Sequence, residues 1–314
     1  MAGQGEESTL TVVVALAANF GIAVAKAVAG LLGGSAAMLS EAAHSLADTM
    51  NQGLLLIASH RSSRPADERH PFGYGRERYF WSLLAAVGIF VGGGVFAVLQ
   101  GTRELIHPRG EYGHYPLTYI VLAIAFVLEG TSWSQAVRQL KADAVRRHRS
   151  FRDQLWHTTD PAATTVFFED SAALVGLLIA ALGVGLHQAT GHHQWDSLAS
   201  IAIGLLLTVV AFLLGKENRS LIVGEAADPR LQRAVEELLA SYDGVTSVDE
   251  VLTMVTGRGE VFVAAHLDLV DTLSAAEVEE LARRMEHDVK SQQPFVKHFF
   301  IDVTADARTT SERG

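Results

Sequence analysis

The chain of 314 residues has no cysteine, only seven prolines and a charged fraction of 19%. Each shortage excludes something. Without thiols there is no disulfide framework, no thiolate metal site and no cysteine nucleophile or redox switch. Soluble domains carry about 25% charged residues. The deficit here, with a mean hydropathy of +0.21, points to apolar runs that need lipid. Basic residues are outnumbered: 25 Lys and Arg stand against 35 Asp and Glu, for a formal net charge of −10. That argues against a nucleic-acid partner, because a phosphate backbone needs a basic face. A hydrophobic content of 49% excludes a disordered chain.

Charge also divides the chain. Residues 1–215 hold 16 acids against 14 Lys and Arg, and residues 216–314 hold 19 against 11. An apolar, nearly neutral domain (1–215) is therefore predicted to precede an acidic, water-soluble one (216–314). A bilayer core needs about 20 apolar residues per helix. Six stretches qualify: Leu10–Leu32, Ala36–Ser59, Phe80–Gly101, Tyr115–Gln135, Ala162–Leu186 and Trp195–Leu214. The first lacks the basic start of a cleavable signal, and its apolar run is too long for one. The second is the least apolar, carrying Glu41, His44, Asp48, Asn51 and Gln52.

Orientation follows from Lys and Arg in short loops. The loop after the second span has Arg61, Arg64, Arg69, Arg76 and Arg78. The loop after the fourth has Arg138, Lys141, Arg146, Arg147, Arg149 and Arg152, and the segment after the sixth has Lys216 and Arg219. The loops after the first and fifth spans have none, and that after the third has Arg103 and Arg109. Both termini are thus expected in the cytoplasm, most simply at the plasma (cytoplasmic) membrane. The tail reads as αββαβ: a helix over Leu231–Tyr242, strands Val245–Val255 and Glu260–Leu269 around Gly257 and Gly259, a helix over Ser274–Lys290 with a Ser274/Glu277 capping box, and a strand Val296–Thr304. The expected fold class is an α-helical membrane protein of six transmembrane helices followed by a small cytoplasmic α+β domain.

Ionisable residues inside spans cost about 2.5–3.5 kcal/mol each on insertion scales. His44 and Asp48 stand at i and i+4 on the second span, on one helix face. Imidazole and carboxylate are both ligands for zinc and other first-row divalent ions. The fifth span adds Glu169 and Asp170. If the second and fifth spans touch, four protein ligands can converge on one ion. Taken singly, each residue has a plainer reading, as a packing hydrogen bond, a satisfied interior histidine or an interfacial acid. Asn19, Asn51 and Gln52 are candidate supports for the ligands or glue between helices.

Three stretches carry a resemblance: Ser40-Glu-Ala-Ala-His44-Ser-Leu-Ala-Asp48, Asp67-Glu-Arg-His70-Pro-Phe-Gly-Tyr-Gly-Arg76 and Glu169-Asp170-Ser-Ala-Ala-Leu-Val-Gly176. With the six spans and the αββαβ tail, the chain resembles the cation diffusion facilitator family of divalent-metal/proton antiporters, and most of all its mitochondrial and nuclear zinc-transporter branch. The resemblance implies a metal site on His44, Asp48 and Asp170, and a homodimer. It departs from the family at Val166, where zinc transporters usually have a His. Glu169 is the candidate for the missing ligand, although it lies about 60° around the helix from Val166. Its alternative role is a contact with a polar neighbour on another helix. A second family site is matched by Asp67 and His70, but its last ligand is Tyr74 here, so the loop reads better as one that grips the cytoplasmic domain. In the tail, His266 matches a ligand position and Asp302 stands where a His is common. The outer-loop group His187, His192 and His193 reads as a solvated polar loop.

The expected activity is divalent cation efflux, with Zn²⁺/H⁺ antiport by alternating access as the first reading. Mn²⁺, Fe²⁺ or Co²⁺ is the alternative cargo on ligand type. The other classes are a membrane-anchored metal sensor or scaffold and an intramembrane metallohydrolase. The last is disfavoured because no His-Glu-x-x-His run occurs. No enzyme activity and no organic cofactor are expected. The expected partners are the lipid bilayer, the metal ion, protons and a second copy of the chain.

Overall fold

The computed structural model describes residues 9–108, 113–146, 150–156 and 161–303. Arg109, Arg147, Arg149 and Thr304 from the sequence reading lie outside them. The chain divides into two compact units, Met1–His60 with Arg78–Arg219, and Arg61–Glu77 with Ser220–Gly314. The loop Arg61–Glu77, grouped on the sequence with the first 215 residues, falls in the second unit.

The first unit is helical: α1 (Thr9–Gly33), α2 (Ala36–Ser62), α3 (Glu77–Gly88), a π-helical stretch Ile89–Val95, α4 (Phe96–Ile106), α5 (Tyr115–Arg146), the short α6 (Phe151–Trp156), α7 (Pro161–Thr190) and α8 (Gln194–Val223). Helix α3, the π stretch and α4 form one run, Glu77–Ile106. Among the described residues, five runs are long and apolar enough to cross a membrane: α1, α3–α4, α5, α7 and α8. Helix α2 is the sixth. Its 27 residues are length enough, but its interior polar groups lower its hydropathy. Large side chains such as Leu31, Val127, Leu182 and Phe212 point outward, as lipid-facing positions require. Helix α5 runs past the predicted Gln135 through good helix formers as far as Arg146.

Helix α2 is held at a fixed depth by its N-terminus. Ser35 caps it, its Oγ accepting from Met38 N at 3.1 Å. The fully buried Asp196 of α8 then accepts from Ser35 Oγ (2.6 Å), Ala36 N (2.5 Å) and Ala37 N (3.3 Å). A carboxylate here satisfies orphan N–H groups and complements the helix dipole. One turn on, Ser40 and Ser200 hydroxyls meet at 2.7 Å. Between α8 and the π stretch the backbones touch: a Cβ at Gly94 would lie 2.7 Å from Thr208 Oγ1, and one at Gly204 2.8 Å from Gly94 O. Small residues allow this approach, which substitutes for the hydrophobic drive that lipid removes.

The second unit holds α9 (Pro229–Ala240), β1 (Val245–Gly257), β2 (Glu260–Leu269), α10 (Ala275–Gln292) and β3 (Val296–Val303). The sheet order is β1-β2-β3, with β1 antiparallel and β3 parallel to β2. Strand β2 alternates as a half-covered strand should: Val261, Val263, Ala265 and Leu267 are buried, together with Val235 and Leu239 of α9 and Leu281, Met285 and Val289 of α10. The Ser274/Glu277 capping box is formed.

Candidate metal centre

Helix α2 buries a polar face. Ser40, Glu41, His44, Ser45, Thr49 and Asn51 all point inward. The i,i+4 spacing brings His44 Nε2 to 3.5 Å from Asp48 Oδ2. Both ring nitrogens of His44, Asp48 Oδ1 and Asp170 Oδ2 are buried without a hydrogen-bond partner. Orphaned donor atoms of this kind are expensive and suit a passing cation. Asp48, Glu169 and Asp170 line one cavity of about 640 Å³, with Asn19, Gln52 and Val166 also in its wall. The apposition of α2 and α7 that the ligand set requires is therefore present. Among the described residues, however, no three His, Asp or Glu side chains close around one point. Three of the four candidates share a chamber, and His44 reaches it only through its contact with Asp48, so no finished coordination sphere is formed.

Glu169 is engaged on one oxygen: Oε1 accepts from Asn51 Nδ2 at 2.5 Å. This is the polar neighbour on another helix that competes with a ligand role. Asn51 thereby orients Glu169, while Asn19 and Gln52 stand in the cavity wall.

Two charged residues escaped the sequence reading. Lys26 of α1 is fully buried and donates to Glu41 Oε2 (3.1 Å) and Ser45 Oγ (2.7 Å), tying α1 to α2. Glu129, in the middle of α5, lines the cavity opposite Asp170 with Ser132 and Gln135 at i+3 and i+6. That polar stripe on an otherwise apolar helix was the available signal.

The other candidates are arranged differently. In the loop, Asp67 Oδ1 accepts from the backbone N–H groups of Arg69 (3.0 Å) and His70 (2.7 Å), and Oδ2 accepts from Tyr74 OH (2.7 Å). The Tyr74 hydrogen bond, followed by those of the backbone, holds the Asp67 carboxyl below its ordinary range, and the carboxylate in turn raises the Tyr74 phenol. Phe72 of the same loop packs edge-on against Phe262 (5.8 Å) and His298 (5.3 Å) of the sheet. The loop thus docks on the αββαβ domain within one unit. In the tail, His266 of β2 is in register with Asp302 of β3 and Glu250 of β1, on the sheet face away from the helices. His187 lies on α7 and is buried, whereas beyond that helix His192 is exposed and His193 half-buried.

Comparison with known proteins shows the family. The model of the cation efflux transmembrane domain matches residues 12–223, and that of the cation efflux protein cytoplasmic domain (ZT_dimer) matches 227–305. The chain belongs to the cation efflux family. Similar proteins include the mitochondrial proton-coupled zinc antiporter SLC30A9 of Mus musculus, 35% identical over 77% of this chain and 43% of that protein. Metal tolerance protein C4 of Arabidopsis thaliana is 34% identical over 74% and 50% respectively. The cation-efflux pump FieF of Cronobacter sakazakii is 25% identical over 83% and 81%. The chain thus spans half or less of the length of the first two. These relatives are transporters, not enzymes. As a member of the family, the chain is an integral membrane protein.

Proposed function

We propose that this chain carries a divalent transition-metal cation across a membrane in exchange for protons, with Zn²⁺ as the first candidate cargo. The observation that carries the reading is the buried His44–Asp48 pair with unpartnered donor atoms, beside a cavity that also receives Glu169 and Asp170. In this reading His44, Asp48 and Asp170 are ligands, and Glu169, held by Asn51, is a ligand or a proton carrier. Metal binding needs neutral imidazole and deprotonated carboxyls, so protons and metal compete for the same atoms. Access alternating between the two sides of the membrane turns that competition into exchange. The similarity to a proton-coupled zinc antiporter supports this. The arginine-rich loops favour a cytoplasmic side for both termini. The charge shift near Lys216 separates a transport domain from a cytoplasmic one, and the match to ZT_dimer supports a homodimer. The plasma (cytoplasmic) membrane is the first reading of its location, and the SLC30A9 relative is a mitochondrial protein.

A second cargo has an observation in its favour. The cavity wall presents Val166, not a second imidazole, so oxygen donors predominate and Mn²⁺, Fe²⁺ or Co²⁺ fits the ligand set.

The test is transport in proteoliposomes under an imposed pH gradient, for Zn²⁺, Mn²⁺, Fe²⁺ and Co²⁺ in turn. Metal movement coupled to proton counterflow supports the proposal. Absence of coupled flux for all four ions would leave the anchor or sensor reading in its place.

A further inference from the structure

The cavity has a third wall. Helix α5 packs along α7, and the register is set by Trp133 Nε1, which donates to Ser171 Oγ at 2.9 Å, and by the stacked rings of Trp133 and Phe167. One turn before Trp133, this register delivers Glu129 to the chamber that contains Asp170, the neighbour of Ser171. Glu129 lines the same cavity as Asp48, Glu169 and Asp170. The buried ammonium nearby, Lys26, is already paired with Glu41 and bonded to Ser45, which also lines the cavity. The chamber therefore holds four carboxylates, on α2, α5 and α7, and its neighbouring ammonium is committed elsewhere. A carboxylate in mid-span is costly to insert, and another acid opposite Asp170 adds repulsion. A divalent cation relieves both. His44, buried with no hydrogen bond on either nitrogen, brings Nε2 to 3.5 Å from Asp48 Oδ2, whose side chain is in the cavity wall.

We propose that Glu129 is a further substrate-binding residue, a cation ligand supplied by a third helix. This rests on the cavity being the transport site and deepens that reading. Glu169 is held by Asn51 and Val166 is inert. Glu129 then supplies the oxygen donor that α7 alone does not, and its long side chain can reach an ion held by Asp48 and Asp170. An added carboxylate makes the site harder, so Glu129 biases selection toward Mn²⁺ relative to Zn²⁺.

The test compares Glu129→Gln, Glu129→His and Asp48→Asn in the full-length chain, reconstituted in liposomes, with Zn²⁺ and Mn²⁺ as probes and metal binding in detergent measured alongside. Glu129→Gln keeps the shape and loses the charge. It is expected to raise the Zn²⁺ KM by about tenfold or more and the Mn²⁺ KM by more still, whereas Glu129→His shifts preference toward Zn²⁺. Should Glu129→Gln not fold, Glu129→Asp is read instead: a raised KM supports the proposal and an unchanged KM overturns it. If Glu129→Gln folds with both KM values unchanged while Asp48→Asn is inactive, Glu129 is not a ligand and the cavity reading stands. If Asp48→Asn also transports normally, the cavity itself is not the site and this assignment falls with it.

Discussion

Two histidine–aspartate pairs in this chain have nearly the same separation and opposite surroundings. In the helical unit, His44 and Asp48 lie 3.5 Å apart, buried, with both imidazole nitrogens and one carboxylate oxygen lacking hydrogen-bond partners. In the second unit, His70 and Asp67 lie 3.4 Å apart and half exposed, and both oxygens of Asp67 are taken by Tyr74 and two backbone N–H groups. Residue type and spacing mark both as possible metal ligands. What separates them is unspent bonding capacity. A satisfied, solvated carboxylate gains little from a cation, whereas a buried one with an orphaned oxygen gains a great deal. The same distinction explains why Phe72, two residues after His70, is used to pack the loop on the sheet.

The sharpest way to break this comparison is to neutralise an acid on each side. Asp48→Ala and Asp170→Ala are expected to abolish metal transport, by about a hundredfold or more, without loss of folding. Asp67→Ala is expected to stay within about twofold of the parent. Initial rates of Zn²⁺ uptake into proteoliposomes, with folding checked by size-exclusion chromatography, measure both. An active Asp48→Ala, or an inactive and folded Asp67→Ala, reverses the assignment of the two pairs.

The next largest effect is on stability. Lys26→Met leaves Glu41 buried without its ion-pair partner, against Gly176, where even a Cβ would collide with the carboxylate. Removing one partner of a buried pair costs about 3–5 kcal/mol, so the melting temperature of Lys26→Met in detergent should fall steeply. Lys26→Met with Glu41→Gln should recover part of the loss. Equal melting temperatures for parent and single variant would mean that water enters the pair.

Much of this was legible in the sequence. The six spans depended on length and hydropathy, and α2 could be read through its polar residues because the loops around it were clear. The tail was legible because β2 alternates strictly and Ser274 and Glu277 announce a helix start. The His44–Asp48 pair followed from helical periodicity alone. What stayed hidden involved partners distant in sequence. Asp196 caps a helix some 160 residues away, and nothing at Asp196 says so. Lys26 is the one Lys or Arg in the first 60 residues, but a hydropathy window tolerates a single charge. Glu129 was lost the same way within α5, although Ser132 and Gln135 repeat on its side of the helix. The Asn51–Glu169 bond requires the α2–α7 contact to be known first.

That bond supplies a smaller test on the helical side. Glu169→Gln keeps the shape and loses the charge, and should weaken Zn²⁺ binding by about tenfold, the range found for groups that support or complete metal sites. Adding Val166→His to Glu169→Gln places an imidazole in the cavity wall and should restore Zn²⁺ while disfavouring Mn²⁺. Isothermal titration of each ion into the purified variants measures this. Unchanged affinity in Glu169→Gln assigns Glu169 to the Asn51 contact alone and leaves His44, Asp48 and Asp170 with Glu129 or water to complete the site.

The smallest effect belongs to the loop, where the groups are solvated. Tyr74→Phe removes the hydroxyl that contributes most to lowering the Asp67 pKa. The sign follows from linkage. A carboxyl with a depressed folded-state pKa contributes stability above its unfolded value, about 3.9, and that contribution is lost as pH falls through the folded value. Tyr74 sets the upper edge. Its pKa is raised by the Asp67 hydrogen bond, so its contribution is full below the unfolded phenol value, about 10, and fades as pH rises through the folded one. The bond should therefore stabilise the second unit on a plateau between these limits. The melting-temperature difference between parent and Tyr74→Phe, followed from pH 3 to 11, is expected to be small, flat across neutrality and to shrink toward both ends. A difference that stayed constant as pH fell through the carboxyl range would show that the Tyr74 hydroxyl does not act through the Asp67 carboxylate.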